Sequence, residues 1–337
     1  MKNCDGSWDV FEDYVLDFAV DQMRAGTRIA IVTLAKIEGS SPRPLGAQMA
    51  VSETGKWVGY LSGGCIERAV VAEAIEAIKE RKNRTVRYGR GSKYLDIQLP
   101  CGSAIELVFE VDRRLAELSD IDALLRSRRP ASMKIGVSRH ESGHDNFEQC
   151  YYLPRRQLLI AGVGPSSVQL ARLARMSGFD THLYSPDKPT LQAAESHDVE
   201  VTGVISPSVI PPLCADSRTA FVSMFHDHNW ELSFLPEILK TDAFYVGALG
   251  SRTTHRQRLV QLSELGISEM QLKRIHGPAG LYAGGKSASD VALSILSEIS
   301  QIEQDENQKA LRACFTDGAP LIPVSHCIAA SAMRMEG

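Results

Sequence analysis

The stretch Leu158-Leu-Ile-Ala-Gly-Val-Gly-Pro-Ser-Ser-Val168 decides the fold of the C-terminal half of this chain. An apolar run precedes a glycine turn, and a segment with helical spacing follows it as far as Met176. This order of strand, turn and helix begins a βαβ unit. Further strands are predicted over 181–184, 219–224 and 243–246, with helices between and after them. Repetition of the unit predicts a Rossmann-like domain with a parallel sheet.

The N-terminal half has shorter strands between its helices, which is typical of an α+β domain. We predict helices over 8–23, 65–81 and 115–126, strands over 28–36, 85–88 and 105–111, and a hairpin turning at Gly55. Residues 140–152 are polar and irregular, so we place the domain boundary there. The fold class is therefore α/β, with an N-terminal domain over 1–150, a Rossmann-like domain over 151–303 and a tail over 304–337.

Composition excludes several classes of protein. The chain has 337 residues, 44% of them hydrophobic, which is enough for two domains. With 37 basic and 41 acidic residues, it offers no broad positive field to nucleic acid or to an anionic membrane. No apolar run reaches the roughly 18–20 residues of a membrane-spanning helix, and residues 1–8 lack a secretory pattern. We expect a cytoplasmic protein whose seven scattered cysteines are reduced thiols.

The glycine turn is a candidate nucleotide-binding site. Gly162 and Gly164 would let backbone N–H groups approach phosphate oxygens at a helix N-terminus, and Ser167 stands where a third glycine is usual. Asp187, just after the second strand, is placed to bind a ribose hydroxyl. The alternative is a strand-to-helix turn that merely packs tightly.

Two more turns should lie at the same edge of the sheet. His226, after one strand, is a candidate for ligand contact or proton transfer, although a loop histidine bonded to backbone is the plainer interpretation. A metal held by His226 and His228 is disfavoured because no third ligand stands nearby. The turn at Gly250, Ser251 and Arg252 is a candidate anion site, because it offers backbone N–H donors, the Ser251 hydroxyl and the Arg252 cation. The alternative is that the turn caps a helix and that Arg252 is solvated.

Two cysteines are candidate reactive or metal-binding thiols in the N-terminal half. Cys65 follows Gly63 and Gly64 at a helix start, where the dipole stabilises a thiolate, and Cys101 occupies a turn. A single cysteine is more often a small buried hydrophobe. Arg43 is a candidate phosphate partner, with a surface arginine as the alternative.

Taken together, these motifs resemble the XdhC/CoxI family over about residues 10 to 300. The N-terminal resemblance rests on Gly39-Ser-Ser-Pro-Arg43, Gly46, Ser62-Gly-Gly-Cys-Ile-Glu67 and Pro100-Cys-Gly102. The C-terminal resemblance rests on the Gly162 turn, Phe225-His-Asp227, Tyr245-Val-Gly-Ala-Leu-Gly-Ser-Arg252, Ile275-His-Gly-Pro-Ala-Gly-Leu281 and Asp290-Val-Ala-Leu-Ser-Ile-Leu-Ser-Glu298. The sequence departs from the family pattern at Ser103, Pro165 and Phe225, and Pro165 removes one backbone donor from the phosphate loop.

The resemblance implies a maturation chaperone with no substrate turnover of its own. Such factors bind molybdenum cofactor, as molybdopterin or its cytosine dinucleotide, support its sulfuration and deliver it to a hydroxylase such as xanthine dehydrogenase or aldehyde oxidoreductase. It implies Cys101 first, then Cys65, as cofactor thiols contacting molybdenum or sulfur, with Gly63, Gly64 and Arg43 shaping the site. The implied partners are an apo molybdenum hydroxylase and a cysteine desulfurase, with a cofactor nucleotidyltransferase and a second copy of the chain as further candidates.

Two other functions stay open at this point. An NAD(P)-dependent oxidoreductase would use the Rossmann turn, Asp187 and His226 as proton donor, but it leaves the Gly-Gly-Cys sequence unexplained. A nucleotide-sensing interaction module would require both thiols to be inert.

Overall fold

The computed structural model describes residues 14–92, 103–136, 147–282, 285–317 and 328–329. The chain divides into two compact units, one containing Met1–Pro154 with Lys309–Gly337 and the other containing Arg155–Gln308. In these described ranges no helix combines the length and the hydropathy that crossing a membrane requires.

The first unit is an α+β structure. Its elements are α1 Leu16–Arg24, β1 Ile29–Glu38, β2 Gln48–Ser52, β3 Trp57–Gly59, α2 Glu67–Glu80, β4 Arg84–Gly89, β5 Ala104–Glu110, α3 Leu115–Arg126, β6 Ala131–Gly136 and β7 Phe147–Tyr152. Five strands form an antiparallel sheet in the order β3-β2-β1-β5-β4. A smaller sheet contains β6, β7 and β14, which is Ile328–Ala329.

Strand β1 is buried on both faces because its side chains alternate between two cores. Ile29 and Ile31 pack in a core with α1 and α3, whereas Val32 and Leu34 pack in a core with α2. The helices therefore cover opposite faces of the five-stranded sheet.

The second unit is a doubly wound Rossmann-like structure. Its elements are β8 Gln157–Gly162, α4 Pro165–Met176, β9 Asp180–Ser185, α5 Lys188–Glu195, β10 Glu200–Gly203, β11 Thr219–Met224, α6 His228–Ile238, β12 Tyr245–Ala248, α7 Arg252–Glu264, α8 Glu269–Leu272, β13 Ile275–His276 and α9 Ala288–Asp317, whose residues from Lys309 onward are counted with the first unit. Neighbouring strands pair in parallel in the order β10-β9-β8-β11-β12-β13. The order reverses between β8 and β11, which is where such sheets bind ligands.

The predicted α/β fold class is confirmed, with three differences in detail. The segment interpreted as irregular, 140–152, contains β7, whose Cys150 and Tyr152 are buried while polar residues stand between apolar ones. Helix α9 continues to Asp317, beyond residue 304 where the tail was predicted to begin. The first predicted helix also starts later than expected, because Tyr14 and Val15 precede α1, which begins at Leu16; residues 8–13 lie outside the described residues.

A buried ion pair joins α6 to α7 in the second unit. Arg258 and Glu231 have side chains only 1% and 2% exposed. The Arg258 guanidinium donates through Nε to Glu231 Oε2 at 3.1 Å and through Nη2 to Oε1 at 2.8 Å. Nη2 also donates to the Leu249 carbonyl at 2.6 Å, so the pair fixes the chain just after β12.

We predict that Glu231→Leu lowers the free energy of unfolding by about 3–5 kcal/mol, because the buried guanidinium loses its counter-charge. Adding Arg258→Met to the same chain should recover part of that loss, since both charges are then absent. Denaturant unfolding, with hydrogen exchange of the β11 and β12 amides, compares the two variants. A double variant less stable than the single one would contradict the prediction.

Candidate functional site

The glycine turn between β8 and α4 is tightly packed. An ideal Cβ on Gly162 would lie 2.5 Å from Met224 Cβ and 2.6 Å from Ser167 Oγ, so no larger residue fits. The buried Ser167 hydroxyl donates to the Val163 carbonyl at 3.2 Å. Gly164 has φ +86°, a backbone conformation that favours glycine. An ideal Cβ on Gly164 would meet no other described atom within 4 Å, so this residue borders open space.

Two backbone donors of an ordinary phosphate loop are missing from this turn. The Gly164 amide donates to Thr190 Oγ1 at 2.9 Å, and Pro165 has no N–H. The amides of Ser166 and Ser167 lie in the first turn of α4, where a helix provides no intrahelical acceptor. The turn therefore offers a shorter row of donors to a phosphate than the usual dinucleotide motif.

Asp187 lies where the sequence predicts it, two residues after β9, and it caps α5. Its Oδ2 accepts from the Thr190 amide at 2.9 Å and from the Thr190 hydroxyl at 2.5 Å. Because that hydroxyl also accepts from Gly164, Asp187 is linked through Thr190 to the glycine turn. One of the two carboxylate oxygens of Asp187, Oδ2, is therefore engaged by Thr190. Binding of a ribose hydroxyl by Asp187 stays a prediction.

The turns after β11 and β12 stand at the same carboxyl edge as the glycine turn. His226 is exposed beyond buried Phe225. Ser251 caps α7 by accepting from the Thr254 amide at 3.1 Å, which is the capping arrangement foreseen as the alternative. Arg252 is exposed in the first turn of α7. Gly250 has φ +139°, a conformation that favours glycine.

In the first unit, Cys65 is exposed on the loop that enters α2. Gly63 and Gly64 precede it, and an ideal Cβ on Gly63 would meet no described atom within 4 Å. The Ser62 hydroxyl accepts from the Gly64 amide at 3.2 Å and from the Cys65 amide at 3.1 Å. The thiol is thus presented beside open space by a hydrogen-bonded turn.

Glu67 organises this turn, and we did not predict a role for it. Its fully buried carboxylate accepts the amides of Leu61, Ser62 and Ile66 at 3.1, 2.7 and 3.2 Å, and the Ser62 hydroxyl at 2.8 Å. The sequence signal is an acidic residue in the first turn of an amphipathic helix. An acidic residue at such a position usually faces solvent, so the sequence did not predict that Glu67 is buried.

Arg43 is held against Tyr60. Its Nη1 donates to the Tyr60 hydroxyl at 3.1 Å, and its guanidinium lies 4.1 Å from the centre of the Tyr60 ring. The structure therefore fixes Arg43 near the end of β3. Cys101, the first candidate thiol, lies outside the described residues, so its place beside Cys65 stays a prediction.

The described residues contain no group of three or more His, Cys, Asp and Glu side chains that could hold a metal ion. The candidate residues fall into two sets, one in each unit. Gly162, Gly164, Ser167 and Asp187 are brought together by direct contacts and through Thr190.

Comparison with known proteins gives two family matches and several relatives. The XdhC and CoxI family matches residues 22–89, and the XdhC Rossmann domain matches residues 158–299. The molybdenum cofactor insertion chaperone PaoD of Escherichia coli is 32% identical over 304 residues, which cover 87% of this chain and 89% of that protein. A probable subunit of xanthine dehydrogenase from Bacillus subtilis is 22% identical over 313 residues, covering 80% of this chain and 92% of its own.

One solved structure shares the fold over nearly the same length. A crystal structure from Bacillus halodurans, described as a xanthine dehydrogenase, superposes with a TM-score of 0.70 at 21% identity. It covers 87% of this chain and 96% of its own. The likeness supports the fold of both units.

We predict that Gly162→Ala lowers the free energy of unfolding by about 3 kcal/mol, because the added methyl group would overlap Met224 and Ser167. Gly164→Ala is the matched control and should cost about 1 kcal/mol, from its positive φ alone. Thermal unfolding of the two variants tests the difference. A larger loss for Gly164→Ala would show that the packing argument is wrong.

We predict that Glu67→Ala destabilises the chain by about 2–4 kcal/mol and accelerates hydrogen exchange at the Leu61, Ser62 and Ile66 amides, because these three buried amides lose their acceptor. The control is Glu76→Ala on the same helix, which removes an exposed pair with Lys79 and should cost less than about 1 kcal/mol. Unchanged exchange at the Ser62 and Ile66 amides in the Glu67 variant would contradict the prediction.

Proposed function

Because this chain belongs to the XdhC and CoxI family, we propose that it is a cytoplasmic accessory factor that binds molybdenum cofactor and delivers it to a molybdenum hydroxylase. The cargo is molybdopterin or its cytosine dinucleotide form. In this proposal an apo-hydroxylase of the xanthine dehydrogenase or aldehyde oxidoreductase type receives the cargo, and a cysteine desulfurase supplies the sulfur while the factor holds it. The chain itself turns over no substrate.

The observation that carries the proposal is the presentation of Cys65. Glu67 and Ser62 fix the backbone on both sides of this residue, while its side chain is exposed beside the open space at Gly63. When bound, the cargo supplies a soft metal centre that accepts sulfur ligands, and a thiolate matches that preference. Cys65 provides such a sulfur ligand on the loop that enters α2.

The residues of the second unit fit a ligand with a phosphate group. The open space at Gly164 and the first-turn amides of Ser166 and Ser167 lie at the carboxyl end of β8, beside the point where strand order reverses. Ser251 and Arg252 extend the same edge after β12. We propose that this edge binds a phosphate group.

The geometry of the turn weighs against an NAD(P)-dependent oxidoreductase. A dinucleotide pyrophosphate is usually held by successive amides after the second glycine, and here the Gly164 amide bonds Thr190 and Pro165 has no amide proton. Asp187, the expected ribose ligand, is engaged as a helix cap.

The test measures molybdenum and pterin retained after the purified full-length protein is incubated with isolated molybdenum cofactor and separated by gel filtration. We expect near-stoichiometric retention by the wild type and at least about a tenfold weaker affinity for Cys65→Ser, which loses one soft ligand. Cys214→Ser is the control, because this exposed cysteine belongs to the other unit.

The same assay on Cys101→Ser, with an NADPH and NADH titration, separates the alternatives. Loss of cargo with Cys101→Ser alone would assign the thiol role to Cys101. Tight binding of either dinucleotide with no pterin retained would overturn the chaperone and favour the oxidoreductase.

A further inference from the structure

The hydroxyl of Thr190 is a buried polar group between two loops of the proposed phosphate edge. Thr190 lies in the first turn of α5 and is 3% exposed. Its hydroxyl contacts Gly164 in the glycine turn on one side and Asp187, the cap of α5, on the other. All three residues belong to the second unit, so the contacts are internal to that unit.

The hydrogen bonds through this hydroxyl run in one direction. A carboxylate oxygen accepts, so the Thr190 hydroxyl donates its proton to Asp187 Oδ2 at 2.5 Å. The hydroxyl oxygen then accepts from the Gly164 amide at 2.9 Å. Because hydrogen bonds in such a chain polarise one another, the carboxylate makes the hydroxyl a stronger acceptor. The Gly164 amide is therefore held by a group of the protein itself.

Capping of α5 does not require the Thr190 hydroxyl. Asp187 Oδ2 accepts the Thr190 backbone amide at 2.9 Å, and this bond is the ordinary contact of a helix cap. The bond to Gly164 instead joins the loop after β8 to the helix that follows β9. The hydroxyl thus acts on the glycine turn, separately from the cap.

The occupied Gly164 amide leaves Ser166 and Ser167 as the backbone donors at the start of α4, where amides have no intrahelical acceptor. The Ser167 hydroxyl adds no donor, since it donates to the Val163 carbonyl at 3.2 Å. Gly164 lies on the other side of Pro165, which has no N–H. Two adjacent amides suit one phosphate group. A second phosphate on the Gly164 side would find its donor already engaged.

Neither space nor charge at this edge excludes a larger anion. An ideal Cβ on Gly164 would meet no other described atom within 4 Å. The side chains of Lys188, Arg252 and Arg256 are exposed at the starts of α5 and α7, and half-buried Asp187 carries the opposite charge. The number of backbone donors that remain free is therefore the property that separates one phosphate from two.

We propose that Thr190 is a specificity-determining residue of the glycine turn. Its hydroxyl occupies the Gly164 amide, so the turn binds ligands through one phosphate group and selects against a diphosphate. This inference rests on the phosphate edge of the proposed function. A Rossmann-like unit thereby loses affinity for diphosphate ligands through a single side chain.

The test compares Thr190→Ala with Thr190→Ser in the full-length chain. Both variants lose the methyl group and keep the backbone amide that binds Asp187, and only Thr190→Ser keeps the hydroxyl. Inorganic phosphate and inorganic pyrophosphate are the probes, and calorimetric titration gives their affinities. One freed donor should raise the affinity for pyrophosphate about fivefold in Thr190→Ala relative to Thr190→Ser, and the affinity for phosphate less than about twofold. Equal pyrophosphate affinities would overturn the proposal.

Amide signals show where each probe binds, and the wild type alone can contradict the proposal. In ¹H–¹⁵N spectra of the wild type, both probes should shift the Ser166 and Ser167 amides more than the Gly164 amide. In Thr190→Ala, pyrophosphate should shift the Gly164 amide as strongly as the two serine amides, which a merely structural change would not produce. A wild-type Gly164 shift with pyrophosphate as large as that of Ser167 would overturn the proposal.

The two proposals fail in different ways. Equal pyrophosphate affinities of the two variants, with Ser167 still shifted by phosphate, would remove the role of Thr190 and leave the phosphate edge standing. No shift at Ser166 or Ser167 with either probe would remove the phosphate edge, and the role of Thr190 with it. Retention of molybdenum cofactor, which tests the chaperone function through Cys65, is measured separately from both.

Discussion

The carboxyl edge of the parallel sheet depends on the buried pair of Glu231 and Arg258. Each charge is stable away from water because the other is within hydrogen-bond distance, and Arg258 also binds the Leu249 carbonyl. This one guanidinium connects α6, the chain after β12 and the ring of His255. The turns that carry His226, Gly250 and Ser251 are therefore held by an interaction that none of those residues makes.

The first unit uses a buried carboxylate in a similar way. Glu67 accepts three backbone amides and a hydroxyl around the loop that presents Cys65, as Glu298 accepts Tyr245 and the Gly280 amide around His276. In each case a helix supplies the carboxylate and a loop supplies at least one backbone donor, while the Tyr245 hydroxyl comes from β12. A carboxylate with several acceptor sites can fix an irregular loop without a large apolar core.

The sequence was sufficient for the fold because hydrophobic periodicity and glycine turns are local signals. The β8 to α4 turn, the hairpin at Gly55 and the helices α2 and α3 follow directly from such patterns. Strand β7 was missed because Glu148 and Gln149 stand together before Cys150, which breaks the alternation that marks a strand, and β13 is only two residues long. For the candidate site, the sequence pattern located the loops but did not predict the buried side chains that hold them in place. Glu231 and Arg258 are 27 residues apart, and no local pattern reveals that they meet.

If the glycine turn binds a phosphate of a delivered cargo, as we propose, the internal hydrogen bond between Gly164 and Thr190 has a kinetic consequence. Each donor withheld from a bound phosphate weakens the complex by about 1 kcal/mol, and differences of this kind fall mainly on the dissociation rate. With the Gly164 amide occupied and Pro165 lacking one, the residence time of a phosphate at this turn shortens by about one to two orders of magnitude. A turn that holds a phosphate incompletely thus favours rapid transfer to an acceptor that holds it fully.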